Sequence, residues 1–124
     1  MRLDLDHAET PFTVDAYDGP RLRLAGRWCE PPLLVCGERL WPDWRPRGAT
    51  LDVEDFAPLL AEPPAVLVLG TGPRLVLPPR ALYAALAEHG IGLEAMDHGA
   101  ACRCYNVLVA ERRRAAAAWL AWAD

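Results

Sequence analysis

From Phe12 onward the chain alternates short apolar runs with turn-forming residues, and the period of the runs changes midway. Arg21-Leu22-Arg23-Leu24 alternates arginine and leucine with period two, the pattern of a strand with one wet and one dry face. Phe12-Thr13-Val14 precedes it, and Tyr17-Asp18-Gly19-Pro20 between them is a turn, so the two runs read as a hairpin. Ala25-Gly26 turns the chain again, and Leu33-Leu34-Val35-Cys36 is a short buried run broken by Gly37-Glu38. Residues 41–48 hold two prolines and a glycine and are read as irregular, with Trp41 and Trp44 covering the edge of a core. Thr50 or Asp52 is placed to cap a short helix over 53–60, whose first turn carries Glu54 and Asp55 as the helix dipole favours. Residues 1–11 read as a loose polar arm closed by Pro11.

After Pro63-Pro64 the pattern becomes regular. Ala65-Val66-Leu67-Val68-Leu69 is a continuous apolar run, the mark of a central strand buried on both faces. Gly70-Thr71-Gly72-Pro73 is a turn, and Arg74-Leu75-Val76-Leu77 reads as a second short extended run. Pro78-Pro79 opens a helix, where a missing N–H costs nothing, and Leu82, Ala85, Leu86 and His89 fall on one buried stripe. Gly90 stops that helix, and Leu93-Glu94-Ala95-Met96 is the next strand. Asp97 stands at the N-cap of a helix over 100–112, on which Ala101, Cys104, Tyr105 and Leu108 share a face. Strand, helix, strand, helix implies a right-handed crossover and a parallel pair at the centre of a sheet. The alanines of 115–118 favour helix by propensity alone.

Several spaced motifs in this half recur in one order: Leu69-Gly70-Thr71-Gly72, Pro78-Pro79, 90–97, Ala100-Ala101-Cys102-Arg103, Tyr105-Asn106-Val107-Leu108 and Glu111-Arg112-Arg113. With them the chain resembles the domain of unknown function 498 family, whose members include a mitochondrial complex I assembly factor. The resemblance implies a compact three-layer α/β domain with a central mixed β-sheet; length and pattern give a single domain over 1–124 with N-terminal short strands and a hairpin and two or three helices. It also implies that the segment after Arg113 returns as a strand, and we take that reading over the helix propensity. Family members commonly carry threonine where this chain has His98 and Cys104. The family has no established catalytic residues, so the resemblance supplies none.

Composition narrows the function classes. The 124 residues carry a net charge of −4 and are 52% hydrophobic, which fits a folded domain with no global attraction to nucleic acid. All 13 basic residues are arginine, so Schiff-base chemistry and a P-loop lysine are absent, and without serine so is a serine hydrolase. No apolar run reaches the roughly 18 residues of a membrane helix, so no direct membrane insertion is expected. The acidic start is unlike a signal peptide, and the expected compartment is the cytoplasm, with Cys29, Cys36, Cys102 and Cys104 reduced.

Candidate chemistry concentrates at one edge. Gly70-Thr71-Gly72 follows a strand but lacks a third glycine and an immediate helix, so it is not a dinucleotide fingerprint, and its expected role is a tight turn. Open α/β sheets nonetheless place ligands at the carboxyl ends of their strands. Gly70, Thr71, Gly72, Arg74, Asp97, His98, Arg103, Tyr105 and Asn106 are therefore the candidate ligand-binding residues, the alternative being that Asp97 is a plain N-cap and Arg103 a solvated helix residue. Metal is not expected: Cys102 and Cys104 point about 200° apart on a helix, and His98 with Cys102 supplies only two ligands. Arg112-Arg113-Arg114 forms a local basic patch, read as helix C-terminal charge or as a surface for an acidic partner or an anion. No cofactor is implied. The expected function is a non-catalytic interaction or assembly-type module working with another protein or a membrane-associated complex. The alternatives are a small-molecule or anion-binding protein, enzymatic or not, at the 70–72 and 97–106 edge, and a redox-responsive protein using Cys102 or Cys104.

Overall fold

Asp52, Asp97 and the glycines of the turns set the element boundaries. The computed structural model describes residues 10–122 of the chain. Among these, the strands are β1 (Val14–Asp18), β2 (Arg21–Leu24), β3 (Arg27–Cys29), β4 (Leu33–Cys36), β5 (Arg39–Trp41), β6 (Val66–Gly70), β7 (Gly92–Met96) and β8 (Ala115–Trp119). The helices are α1 (Arg80–Ala87), α2 (His98–Ala110) and a 3₁₀ segment, Val53–Leu59. Asp52 caps that segment and forms a reciprocal box with Asp55, which two orphan N–H groups at a helix start favour. The expected arm lies, up to residue 9, outside the described residues.

The strands make two sheets. β1, β2 and β3 form an antiparallel meander, and the larger sheet runs β5-β4-β8-β6-β7. β6 pairs in parallel with both β7 and β8, whereas β4 pairs antiparallel with β8 and β5, so the sheet is mixed as expected. On one face α2 and the small sheet enclose Leu22, Leu24, Leu33, Val35, Val68, Tyr105 and Trp119. On the other, α1 and the 3₁₀ segment cover Leu34, Phe56, Leu67, Leu69, Leu82 and Leu86. Each fully buried leucine contributes about 1.5–3 kcal/mol from surface removed from water.

β8 occupies the middle of the large sheet despite its four alanines. Ala115, Ala117 and Trp119 face one core and Ala116 and Ala118 the other. Both of its edges are hydrogen-bonded, Val35 and Val68 standing opposite Ala117. As a helix this segment would leave the inner edges of β4 and β6 without partners, a larger loss than the propensity difference. The methyl groups also let α2 pack closely on the sheet.

Four details differ from the sequence reading. Arg74-Leu75-Val76-Leu77 is not a strand; it belongs to an irregular loop between β6 and α1, and its apolar side chains are exposed. His89 lies past the end of α1 and is exposed, so the buried stripe is carried by Leu82 and Leu86 with Ala85 at its margin. The short strands β3 and β5 have too few residues for a periodic signal, and Trp41 ends β5 rather than lying in irregular chain. Finally, α2 stops at Ala110, with Arg112 in the left-handed region at φ 60°. There Arg112 N–H donates to Val109 O and Arg113 N–H to Leu108 O, both 2.9 Å, the Schellman arrangement. Trp44 does cover the core edge: it is buried, and its Nε1–H donates to Asp55 O at 2.6 Å.

The position of β8 gives a direct test. Ala117→Leu is harmless on a helix but overfills the space between β8 and α2, so it should lower stability by roughly 1–3 kcal/mol in urea denaturation. An unchanged midpoint would remove β8 from the core.

Candidate functional site

The carboxyl ends of β6 and β7 gather Gly70, Thr71, Gly72, Asp97 and His98 in one cluster. His98, the first residue of α2, is 2% exposed, and its imidazole is enclosed by backbone. Gly72 N–H donates to Nδ1 at 2.8 Å, which assigns Nδ1 as the unprotonated nitrogen. Nε2 then carries the proton and donates to Leu120 O at 3.0 Å. His98 N–H also donates to Gly72 O at 2.8 Å, and Trp122 meets the ring edge-on at 5.2 Å. Burial is the main force holding the His98 pKa below its ordinary value, opposed by the Leu120 carbonyl and the Asp97 charge.

The other members of the cluster are equally engaged. Asp97 Oδ1 accepts from Ala100 N–H at 2.9 Å as an N-cap. Thr71 Oγ1 donates to Arg74 O at 2.7 Å and accepts from Val76 N–H at 3.0 Å, folding the following loop back on itself. Of the two glycines only Gly72 has positive φ, 113°. Gly70 is required for a different reason: a Cβ there would sit 2.5 Å from Trp119 Cδ1 and 3.1 Å from His98 Nδ1.

The remaining candidates lie elsewhere. Arg74 is exposed at the start of the loop. Arg103, on the outer face of α2, donates to the Tyr17 hydroxyl at 2.6 Å and ties α2 to β1. Asn106 uses both ends of its amide on one residue, accepting from Val14 N–H at 2.8 Å and donating to Val14 O at 2.9 Å. Tyr105 is fully buried in the core, edge-on to Trp119 with ring centroids 6.1 Å apart, and its hydroxyl has no partner. The indole N–H of Trp119 likewise lacks an oxygen or nitrogen acceptor.

The thiols are not activated. Burial pushes Cys102 up to about 12, against weaker lowering by the Trp119 indole and the Arg103 charge. Burial also raises Cys29, Cys36 and Cys104. Among the described residues no three His, Cys, Asp or Glu side chains gather as metal ligands would.

Sequence reasoning missed one surface and showed only part of another. The first is the loop between β6 and α1, whose apolar run has the pattern of a strand. The other is a cleft of about 910 Å³ at the opposite end of the large sheet, where Arg39 joins Arg112, Arg113 and Arg114. Only the last three are neighbours in sequence. Arg39 arrives through the pairing of β5 with β4 and of β4 with β8, in which Cys36 stands opposite Ala116.

Residues 14–120, nearly the whole described chain, match the family model described as "Protein of unknown function (DUF498/DUF598)". The chain belongs to this family. A protein of Bartonella henselae described as an outer membrane protein has a crystal structure similar to this domain, with a TM-score of 0.78, 30% identity, and 91% of this chain and 97% of that one covered. An NMR structure from Xanthomonas campestris is similar at TM-score 0.78 and 35% identity, covering 97% of this chain and 92% of that one. The "13 kDa major membrane protein" of Francisella tularensis is 36% identical over 55 residues. That match spans 44% of this chain and 45% of the relative, less than half the length of either.

Two outcomes test the cluster. Gly70→Ala should cost roughly 1–3 kcal/mol by chemical denaturation, because Trp119 and His98 cannot both withdraw. His98 gives a pH signature. It is neutral when folded and has a lowered pKa, while the unfolded chain takes up a proton near pH 6.5. Its contribution is therefore complete above about pH 6.5 and is lost as pH falls below that value toward the lowered folded pKa. The melting temperature should decline between pH 7.5 and 5.5, and His98→Gln should flatten that decline.

Proposed function

We propose that this domain is a non-catalytic interaction module that presents the loop between β6 and α1 to a partner protein in a membrane-associated assembly. One observation carries the reading: Leu75, Val76 and Leu77, three successive apolar residues, are 53%, 64% and 70% exposed. Single exposed leucines are ordinary, but a contiguous apolar run at a loop tip is a feature of contact surfaces.

The loop is also held in shape before any partner arrives. Pro73, Pro78 and Pro79 restrict its backbone, and the Thr71 hydroxyl bridges Arg74 O and Val76 N–H. A preordered loop loses little entropy on binding, so more of its apolar burial is available as affinity. Arg74 and Arg80 flank the apolar tip and favour an acidic rim on the partner. The non-catalytic part of the reading rests on the cluster at the sheet edge, where both nitrogens of His98 and the cap oxygen of Asp97 are already bonded. The membrane setting draws on the Bartonella and Francisella relatives, which are described as membrane proteins. Among the described residues no helix is long and apolar enough to cross a membrane.

The test compares affinity capture from native extract by the full chain and by a variant with Leu75, Val76 and Leu77 all changed to serine. These side chains lie outside the core, so the variant should fold normally. The parent should retain a stoichiometric partner from the membrane-associated fraction and the variant should lose it. Equal recovery by both proteins, or no stoichiometric partner for either, would contradict the proposal.

A further inference from the structure

The cleft at the far end of the large sheet has a composition that the contact loop does not explain. Its walls combine apolar surface from Trp41, Pro58, Leu59 and Val109 with four guanidinium groups, against the two carboxylates of Glu38 and Glu62. Among the described residues none of Arg39, Arg112, Arg113 and Arg114 forms an ion pair.

Two of the four are fixed. Arg39 lies over the Trp41 ring at 5.2 Å, and Arg114 donates from Nη2 to Glu62 O at 3.3 Å. Arg112 holds the left-handed position that ends α2, where glycine is the ordinary residue, so a strained backbone is kept together with a charged side chain at the cleft. At the floor Cys36 offers an uncharged thiol, which burial keeps protonated although Arg114 and Arg39 pull the other way. Guanidinium groups match the planar forks of carboxylate and phosphate, and the apolar walls match a hydrocarbon body.

We propose that this cleft binds a small amphiphilic oxyanion, its carboxylate or phosphate head held by Arg112, Arg113 and Arg114 and its apolar body lying along Trp41 and Leu59. The size of the cleft is within the range of small-molecule sites. It lies away from the loop between β6 and α1, so the two surfaces can be occupied independently.

The experiment is a titration of the full chain followed by backbone amide NMR, with octanoate, octyl phosphate, inorganic phosphate and 1-octanol as probes. Octanoate and octyl phosphate should saturably shift the amides of 36–39, 59–62 and 109–115, inorganic phosphate should do so more weakly, and 1-octanol should not. Arg112→Gly relieves the left-handed strain and should raise the melting temperature by roughly 2–5 °C. The same variant should weaken octyl phosphate binding by roughly tenfold, the scale of one lost charge-assisted contact. Arg113→Ala should weaken binding similarly with little change in melting temperature. Shifts confined to 74–80 or equal shifts with 1-octanol would overturn the proposal. So would unchanged affinity in both arginine variants, and so would no saturable shift with either amphiphile.

Discussion

The imidazole of His98 joins three segments that are far apart in sequence, and the ordered edge of this domain depends on it. Through Nδ1 it takes the N–H of Gly72 after β6, through Nε2–H it holds Leu120 after β8, and its own peptide begins α2. A single neutral ring thus satisfies backbone groups from two loops at the carboxyl edge of the parallel strands. Unpaired buried groups there would each cost about 1–3 kcal/mol. Gly70 permits the arrangement, because any Cβ would push Trp119 and His98 apart. The cluster stabilises the loop that follows, since Gly72 and Thr71 are its first anchors.

Much of this fold is legible in the sequence. The parallel unit formed by β6, α1, β7 and α2 follows from one continuous apolar run, two prolines, two stop glycines and the Asp97 cap. β8 is the instructive case. Its alanines favour helix locally, and what decides its state is the empty place between β4 and β6, a long-range demand that no window of sequence contains. The family resemblance supplied that information. Residues 74–77 are the converse case: an apolar run that reads as a strand is held in a loop by local bonds, the Thr71 hydroxyl tying Arg74 O to Val76 N–H.

Gly70, Thr71, Gly72, Asp97 and His98 do meet at the carboxyl ends of β6 and β7, whereas Arg103, Tyr105 and Asn106 do not join them, and the roles of these side chains are not legible in sequence. Residue type shows that His98, Tyr105 and Asn106 can donate and accept and that Asp97 can accept; it does not show that Val14, Gly72, Ala100 and Leu120 already use three of the four. Tyr105 faces the core because the α2 stripe with Ala101 and Leu108 is its buried stripe. The arginine cleft was half legible. The run at 112–114 was visible, but Arg39 reaches it only through two successive strand pairings.

Together these observations describe a domain whose chemically versatile residues are spent on holding one edge, leaving an apolar loop at that edge and a basic cleft at the other end as its free surfaces. That account stands on the state of His98. The most direct measurement is imidazole nitrogen NMR of the folded chain at pH 7.5. The account predicts a neutral His98 ring with an unprotonated Nδ1, a proton on Nε2 and a hydrogen-bond coupling from the Gly72 amide to Nδ1. A charged ring, or a proton on Nδ1, would contradict it.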